Sequence, residues 1–345
     1  MSKQRVVVIC PGRGTYNKEE LGYLSRFHSD KGAMVDTIDT YRSVHGQLTI
    51  AELDSMSNYS MKTHTAGENA SPLIYGCSMG DFASIDRDKY DIVAVTGNSM
   101  GWYIALAAAG ALSPTAGIEV INTMGSMMTD GLIGGQMIYP LIDDNWRWDQ
   151  SKVDSVNEVM MQVNCIENAQ VHTSIHLGGY IVFGANALAM RELEARLPKI
   201  QDRYPMKLYN HGAFHTPMLA ETSAKAKQML STELFQTPNI PLIDGQGNIW
   251  KPYSTDTQAL YDYTLGTQVH DTYNFTKAIE VAVKEFAPDK LIILGPGATL
   301  GGAVAQSLIK HNWQDMECKK DFTDRQKSDP FILAMGMEEQ RALVV

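Results

Sequence analysis

The sequence predicts an α/β fold, a parallel sheet with a small ferredoxin-like unit inserted into it. Two observations carry that reading. Short apolar runs at residues 5–10, 91–96 and 290–294 each meet a glycine turn and then a helical pattern. Units of strand, turn and helix build parallel sheets whose strand ends converge on one site. Residues 134–209 follow another pattern: strand 136–141, helix 151–161, strand 163–165, strand 180–183, helix 187–197 and strand 206–209. That order is a split β-α-β unit of the ferredoxin-like kind. The expected organisation is a large domain from residues 1–133 and 210–315, a small subdomain over 134–209, and a C-terminal tail over 316–345.

The first strand runs into Pro11-Gly12-Arg13-Gly14, and helical patterns begin near Glu19. The second runs into Gly97-Asn98-Ser99-Met100-Gly101, followed by an Ala-rich helix over 102–111 that Gly110 ends. A G-x-S-x-G pentapeptide between a strand and a helix is a nucleophile elbow, which exposes the serine hydroxyl at a helix N-terminus. Ser99 is therefore the candidate nucleophile. The third strand meets Gly295-Pro296-Gly297 and a helix through Leu308. The next glycine there is Gly301, which breaks dinucleotide-binding spacing. The tail is charged, then mildly apolar over 331–335, and its sequence assigns it no role.

Composition narrows the function classes. The chain has 345 residues and a net charge of −10, with no basic run, so nucleic acid is not an expected partner. Cys10, Cys77, Cys165 and Cys318 form no C-x-x-C pair and have no histidine at zinc-ligand spacing. No metal site or disulfide framework is expected. The N-terminal run Val6-Val7-Val8-Ile9 is too short for a signal peptide, and no stretch reaches the roughly 20 apolar residues of a membrane span. A cytoplasmic protein with no membrane partner is the expectation.

A serine nucleophile needs a base. Of nine histidines, His215 stands out, because Asn210-His211-Gly212-Ala213-Phe214-His215 follows the insert's last strand and precedes a helix. His211 is its nearest rival, and His172, His176 and His270 are lesser ones.

Four motifs now line up in order. Pro11-Gly12-Arg13-Gly14-Thr15-Tyr16 resembles the P-G-Q-G-S-Q opening of the malonyl-CoA:acyl-carrier-protein transacylases and the acyltransferase domains of polyketide and fatty acid synthases. Gly97 through Trp102 resembles their G-H-S-L-G-E, Gly212-Ala213-Phe214-His215 their H-A-F-H, and Gly295-Pro296-Gly297 their G-P-G. The resemblance implies an α/β-hydrolase-like large domain carrying the ferredoxin-like subdomain. It implies a Ser99–His215 dyad, an oxyanion hole from the backbone N–H groups of Met100 and Arg13, and a main-chain carbonyl orienting the histidine. Asn274 occupies the place of the family residue that supplies this carbonyl. It also implies acyl-CoA as substrate, an acyl carrier protein as partner with its phosphopantetheine arm as acceptor, and no permanently bound cofactor.

The departures bear on the acyl group. Malonyl-specific members carry an arginine on the helix after the elbow, where this chain has Met124. Without that partner an ionised carboxylate is costly to bury, whereas a thioether suits an uncharged acyl chain. Arg13 replaces the glutamine of P-G-Q-G and can reach the same pocket from another wall; it can equally meet a coenzyme A phosphate or face solvent. Phe214 disfavours branching at acyl C2, and Trp102, in the family's glutamate place, is expected to flank the pocket. Three functions stay open: transfer of a malonyl or an unbranched non-carboxylated acyl group to a carrier protein, hydrolysis of acyl thioesters on carrier proteins, and non-catalytic docking.

Overall fold

The computed structural model describes residues 2–127 and 132–345. Residues 6–10 are wholly buried in β1 (Gln4–Cys10), and β2 (Tyr90–Gly97) is buried along most of its length. Nearly continuous apolar strands are what a parallel sheet covered on both faces requires. The chain continues through β3 (Gly135–Pro140), β4 (Val171–Leu177), β5 (Tyr180–Ala185) and β6 (Met206–Leu208). It ends with β7 (Leu242–Ile243), β8 (Ile249–Trp250), β9 (Tyr273–Asn274), β10 (Lys290–Ile293) and β11 (Ile332–Ala334).

The main sheet has the order β11-β10-β1-β2-β7-β8 and is parallel except for the β7–β8 pair. The three strands that meet glycine turns are thus neighbours, with Cys10 opposite Gly97 and Ile9 opposite Ile293. Their turns open on one edge, as expected. The small sheet has the order β6-β3-β5-β4-β9, with the helices Gln150–Asn164 and Ala187–Arg196 packed on it. Its first four strands have ferredoxin-like order, and the protein is the expected α/β-hydrolase-like core with a ferredoxin-like subdomain.

Two elements differ from the sequence reading. Residues 163–165, expected as a strand, close the helix Gln150–Asn164, in which Val156, Val159 and Val163 form one buried stripe. Helical spacing overrides the β-preference of a short valine-containing run. The strand in that place is β4, whose polar His172, Thr173 and His176 hide its extended pattern. The small sheet also takes its fifth strand, β9, from beyond residue 209, and β9 pairs parallel with β4.

The tail completes the large domain. β11 pairs parallel with β10, and the closing helix Glu338–Arg341 brings Arg341 onto Asp81 of the buried helix Gly67–Ser84. Asp81 also accepts from Tyr23 Oη at 2.9 Å and from the Gly295 N–H at 2.7 Å, so this cluster anchors the third glycine turn. No helix among the described residues is long and apolar enough to cross a membrane.

Candidate active site

Ser99 sits between β2 and the helix Gly101–Ala108 with φ +55°, a left-handed conformation that costs a non-glycine residue about 1–3 kcal/mol. The glycines beside it are needed for close approach. A Cβ on Gly97 would lie 2.2 Å from the Gly101 carbonyl oxygen, and one on Gly101 would lie 2.3 Å from that of Cys10. Any side chain at either place would push the serine off the sheet edge.

His215 meets the serine. Its Nε2 lies 2.7 Å from Ser99 Oγ, and its Nδ1 lies 2.6 Å from the Gln268 carbonyl oxygen. A carbonyl only accepts, so Nδ1 carries the proton and Nε2 offers its lone pair to the hydroxyl. Burial lowers the His215 pKa to about 4, opposed by the Gln268 carbonyl, so the imidazole is neutral near pH 7. This is the state a general base needs.

The orienting carbonyl corrects the sequence reading: it belongs to Gln268, not Asn274. Asn274 caps the helix Phe275–Phe286, its side chain accepting from the Lys277 N–H at 2.9 Å. The physical reason lies in the one-turn helix Gln268–His270, after which Asp271 is extended. The chain leaves the helix before an N–H can reach the Gln268 carbonyl, and His215 takes that free acceptor. The Gln268 side chain adds a second tie, its Nε2 donating to the Ser99 carbonyl at 3.1 Å while its Oε1 accepts from Tyr103 Oη at 2.7 Å. Sequence reasoning missed both Gln268 and Tyr103.

Above the dyad is a chamber of about 50 Å³, room for a few water molecules, lined by Arg13, Ser99, Met100, Met124, Phe214, His215, Gln268 and other residues. The Met100 and Arg13 amides at its edge donate to no protein acceptor among the described residues, as donors kept for a bound oxygen would. Trp102 does not line it. Its indole is fully buried, donates to Thr264 Oγ1 at 3.0 Å and packs edge-on to Tyr263 at 5.3 Å. Helical phase explains the correction, since consecutive residues face about 100° apart and Tyr103 is the one that lines the chamber.

Arg13 Nη2 donates to the Thr65 carbonyl at 2.8 Å and the Asn210 carbonyl at 3.0 Å, and its guanidinium lies 5.5 Å from the Phe214 ring centre. Burial lowers its pKa to about 10, so it remains a cation at neutral pH. His211 is pushed down to about 3 by burial, then by Arg13 and His215, and its Nδ1 lies 2.7 Å from Gln136 Oε1. It supports the loop and does not reach Ser99. His172 and His176 lie on β4, and His270 pairs with Asp271 at 2.8 Å. No group of three or more metal-ligating side chains occurs among the described residues.

No protein-family model matches the chain. A malonyl CoA-acyl carrier protein transacylase from Synechocystis sp. is 27% identical over 177 residues, 51% of this chain and 55% of that protein. The match thus spans about half of that relative's length. The polyketide biosynthesis malonyl CoA-acyl carrier protein transacylase PksC of Bacillus subtilis is 24% identical over 237 residues, 68% of this chain and 76% of its own. In sequence the chain thus resembles the malonyl-CoA:acyl-carrier-protein transacylases. The crystal structure of the malonyl-CoA:acyl carrier protein transacylase FabD from Xanthomonas oryzae superposes with a TM-score of 0.74 at 17% identity, covering 99% of this chain and 98% of that one, so the two share a fold. Within this fold Met124, the residue expected from the motif resemblance to stand in place of an arginine, is buried in the chamber wall.

Proposed function

We infer that the protein is an acyltransferase that moves a short acyl group from a coenzyme A thioester to the phosphopantetheine thiol of an acyl carrier protein. The observation that carries this reading is the 2.7 Å contact between Ser99 Oγ and a neutral His215 Nε2 at the floor of a small chamber. Nε2 takes the hydroxyl proton as Oγ bonds to the thioester carbon. The tetrahedral oxyanion is received by the Met100 and Arg13 amides, each contributing about 2.7–4 kcal/mol of barrier lowering. The carbon–sulfur bond then breaks, and coenzyme A leaves with the proton from Nε2. The carrier thiol reverses these steps: its proton goes to Nε2, its sulfur takes the acyl carbon, and Ser99 recovers its proton.

Chamber size favours a short acyl group over a long chain. Apolar walls at Ile121, Met124, Leu219 and Val269 favour thiol over water as the second acceptor. The test is the intact mass of the protein after incubation with acetyl- or malonyl-CoA, followed by addition of holo carrier protein. Expected are a gain of one acyl group, its absence in Ser99→Ala, and its discharge onto the carrier. Rapid loss to free acid without carrier supports the hydrolase reading. No gain with any donor leaves the docking reading.

A further inference from the structure

The Arg13 side chain does not merely brace the loop. Bracing occupies Nη2 alone, through Thr65 and Asn210, while Nη1 is buried with no hydrogen-bond partner among the described residues. Arg42 shows what a purely structural buried arginine looks like in this protein. Its Nε donates to the Leu48 carbonyl, its Nη1 to the Glu68 carbonyl and Asn122 Oδ1, and its Nη2 to Asn69 Oδ1. Every nitrogen is used. Arg13 also has no carboxylate in ion-pair contact among the described residues, whereas Arg341 has Asp81. A partly buried cation in the wall of a substrate chamber, with one buried nitrogen left unpartnered, is a waiting anion site, because desolvation is offset only when an anion arrives.

We propose that Arg13 reads the far end of the acyl group, binding the carboxylate of a short carboxylated acyl thioester through Nη1. Among the described residues Arg13 is the only permanently charged side chain lining the chamber, and Met124 adds an apolar side chain to its wall. The Phe214 ring, 5.5 Å from the guanidinium carbon, holds the cation on this wall. One loop then supplies two groups: its backbone amide faces the thioester oxygen, and its side chain faces the carboxylate. The inference rests on the acyl-chamber reading above, and it makes Arg13 a specificity residue whose guanidinium takes no part in proton transfer.

The test separates binding from chemistry. In Ser99→Ala, which forms no acyl-enzyme, malonyl-CoA and acetyl-CoA share every coenzyme A contact, so the ratio of their affinities isolates the carboxylate. Titration calorimetry is expected to show malonyl-CoA binding roughly 10- to 100-fold tighter, the range of a hydrogen-bonded charge pair. Adding Arg13→Gln should bring the ratio to about one, whatever it does to the affinity for coenzyme A thioesters in common, and Arg13→Lys should keep part of it. Equal affinities in Ser99→Ala, or an unchanged ratio after Arg13→Gln, would overturn the proposal even where wild-type Ser99 acylates normally. Failure of Ser99 to acylate, with the ratio intact, would instead overturn the transfer reading alone.

Discussion

Two arginines, one buried and one partly buried, sit at opposite ends of the chain and do opposite things. Arg341, in the closing helix, meets Asp81, whose side chain is wholly buried, and lies over the Phe27 ring at 4.4 Å. Asp81 also has His28 Nε2 at 3.0 Å. That region is electrostatically closed, and its charges cross-link the C-terminal segment to the core. The chamber region is open in the same sense: Arg13 is held by two carbonyls and a ring but has no anionic partner among the described residues. A charge neutralised within the chain serves the fold, and a charge left unneutralised beside a nucleophile serves a ligand.

Breaking the closed pair should have the largest effect. Arg341→Met leaves Asp81 buried without its full cation, and removing one member of such a pair costs about 3–5 kcal/mol. Urea denaturation should show that loss with acyl selectivity unchanged in the folded fraction. Gln268→Ala comes next. The backbone carbonyl that orients His215 survives, but the Ser99 tie goes and Tyr103 Oη loses its acceptor, so about 1–3 kcal/mol is expected, divided between stability and acylation rate. Smaller still is the stability effect of Arg13→Gln. Two hydrogen bonds are lost, but so is an uncompensated, partly buried charge, and the net should stay within about 1 kcal/mol of zero. An Arg13→Gln loss as large as that of Arg341→Met would erase the contrast between the two regions.

Much of this was legible in the sequence, and the rest was hidden for identifiable reasons. β1, β2 and β10 announce themselves because a strand covered on both faces is an apolar run, and the turns after them need glycine. Ser99 and His215 stand in local patterns that carry their chemistry. Gln268 was hidden because its contact with His215 is a backbone carbonyl, which every residue type possesses. Trp102 was misplaced because one step along a helix turns a side chain from chamber to core, and here Tyr103 has the inward phase. β4 was hidden by its histidines and threonine. β9 and β11 are two and three residues long and exist only through their neighbours. The free Nη1 of Arg13 depends on what lies around it, residues 65, 210 and 214, all distant in the chain.

The smallest expected effect is a pH limb that does not move. His215 is held near 4 by burial and opposed by the Gln268 carbonyl, with no contribution from Arg13. Acylation by acetyl-CoA needs the neutral imidazole, so its rate should stay level from pH 7 downward and fall as pH drops through about 4. Arg13→Gln should leave that limb in place, whereas His211, which Arg13 does push down, should titrate higher in the variant by NMR. Stability moves over a neighbouring range. The unfolded chain binds the His215 proton near 6.5 and the folded chain only near 4, so the unfolded state holds more protons between these values and stability falls as pH is lowered through them. The rate is therefore best measured within seconds of a pH jump from 7. A limb displaced by a full unit in Arg13→Gln would mean that the guanidinium tunes the base, and the division of labour between reading the acyl group and moving its proton would no longer hold.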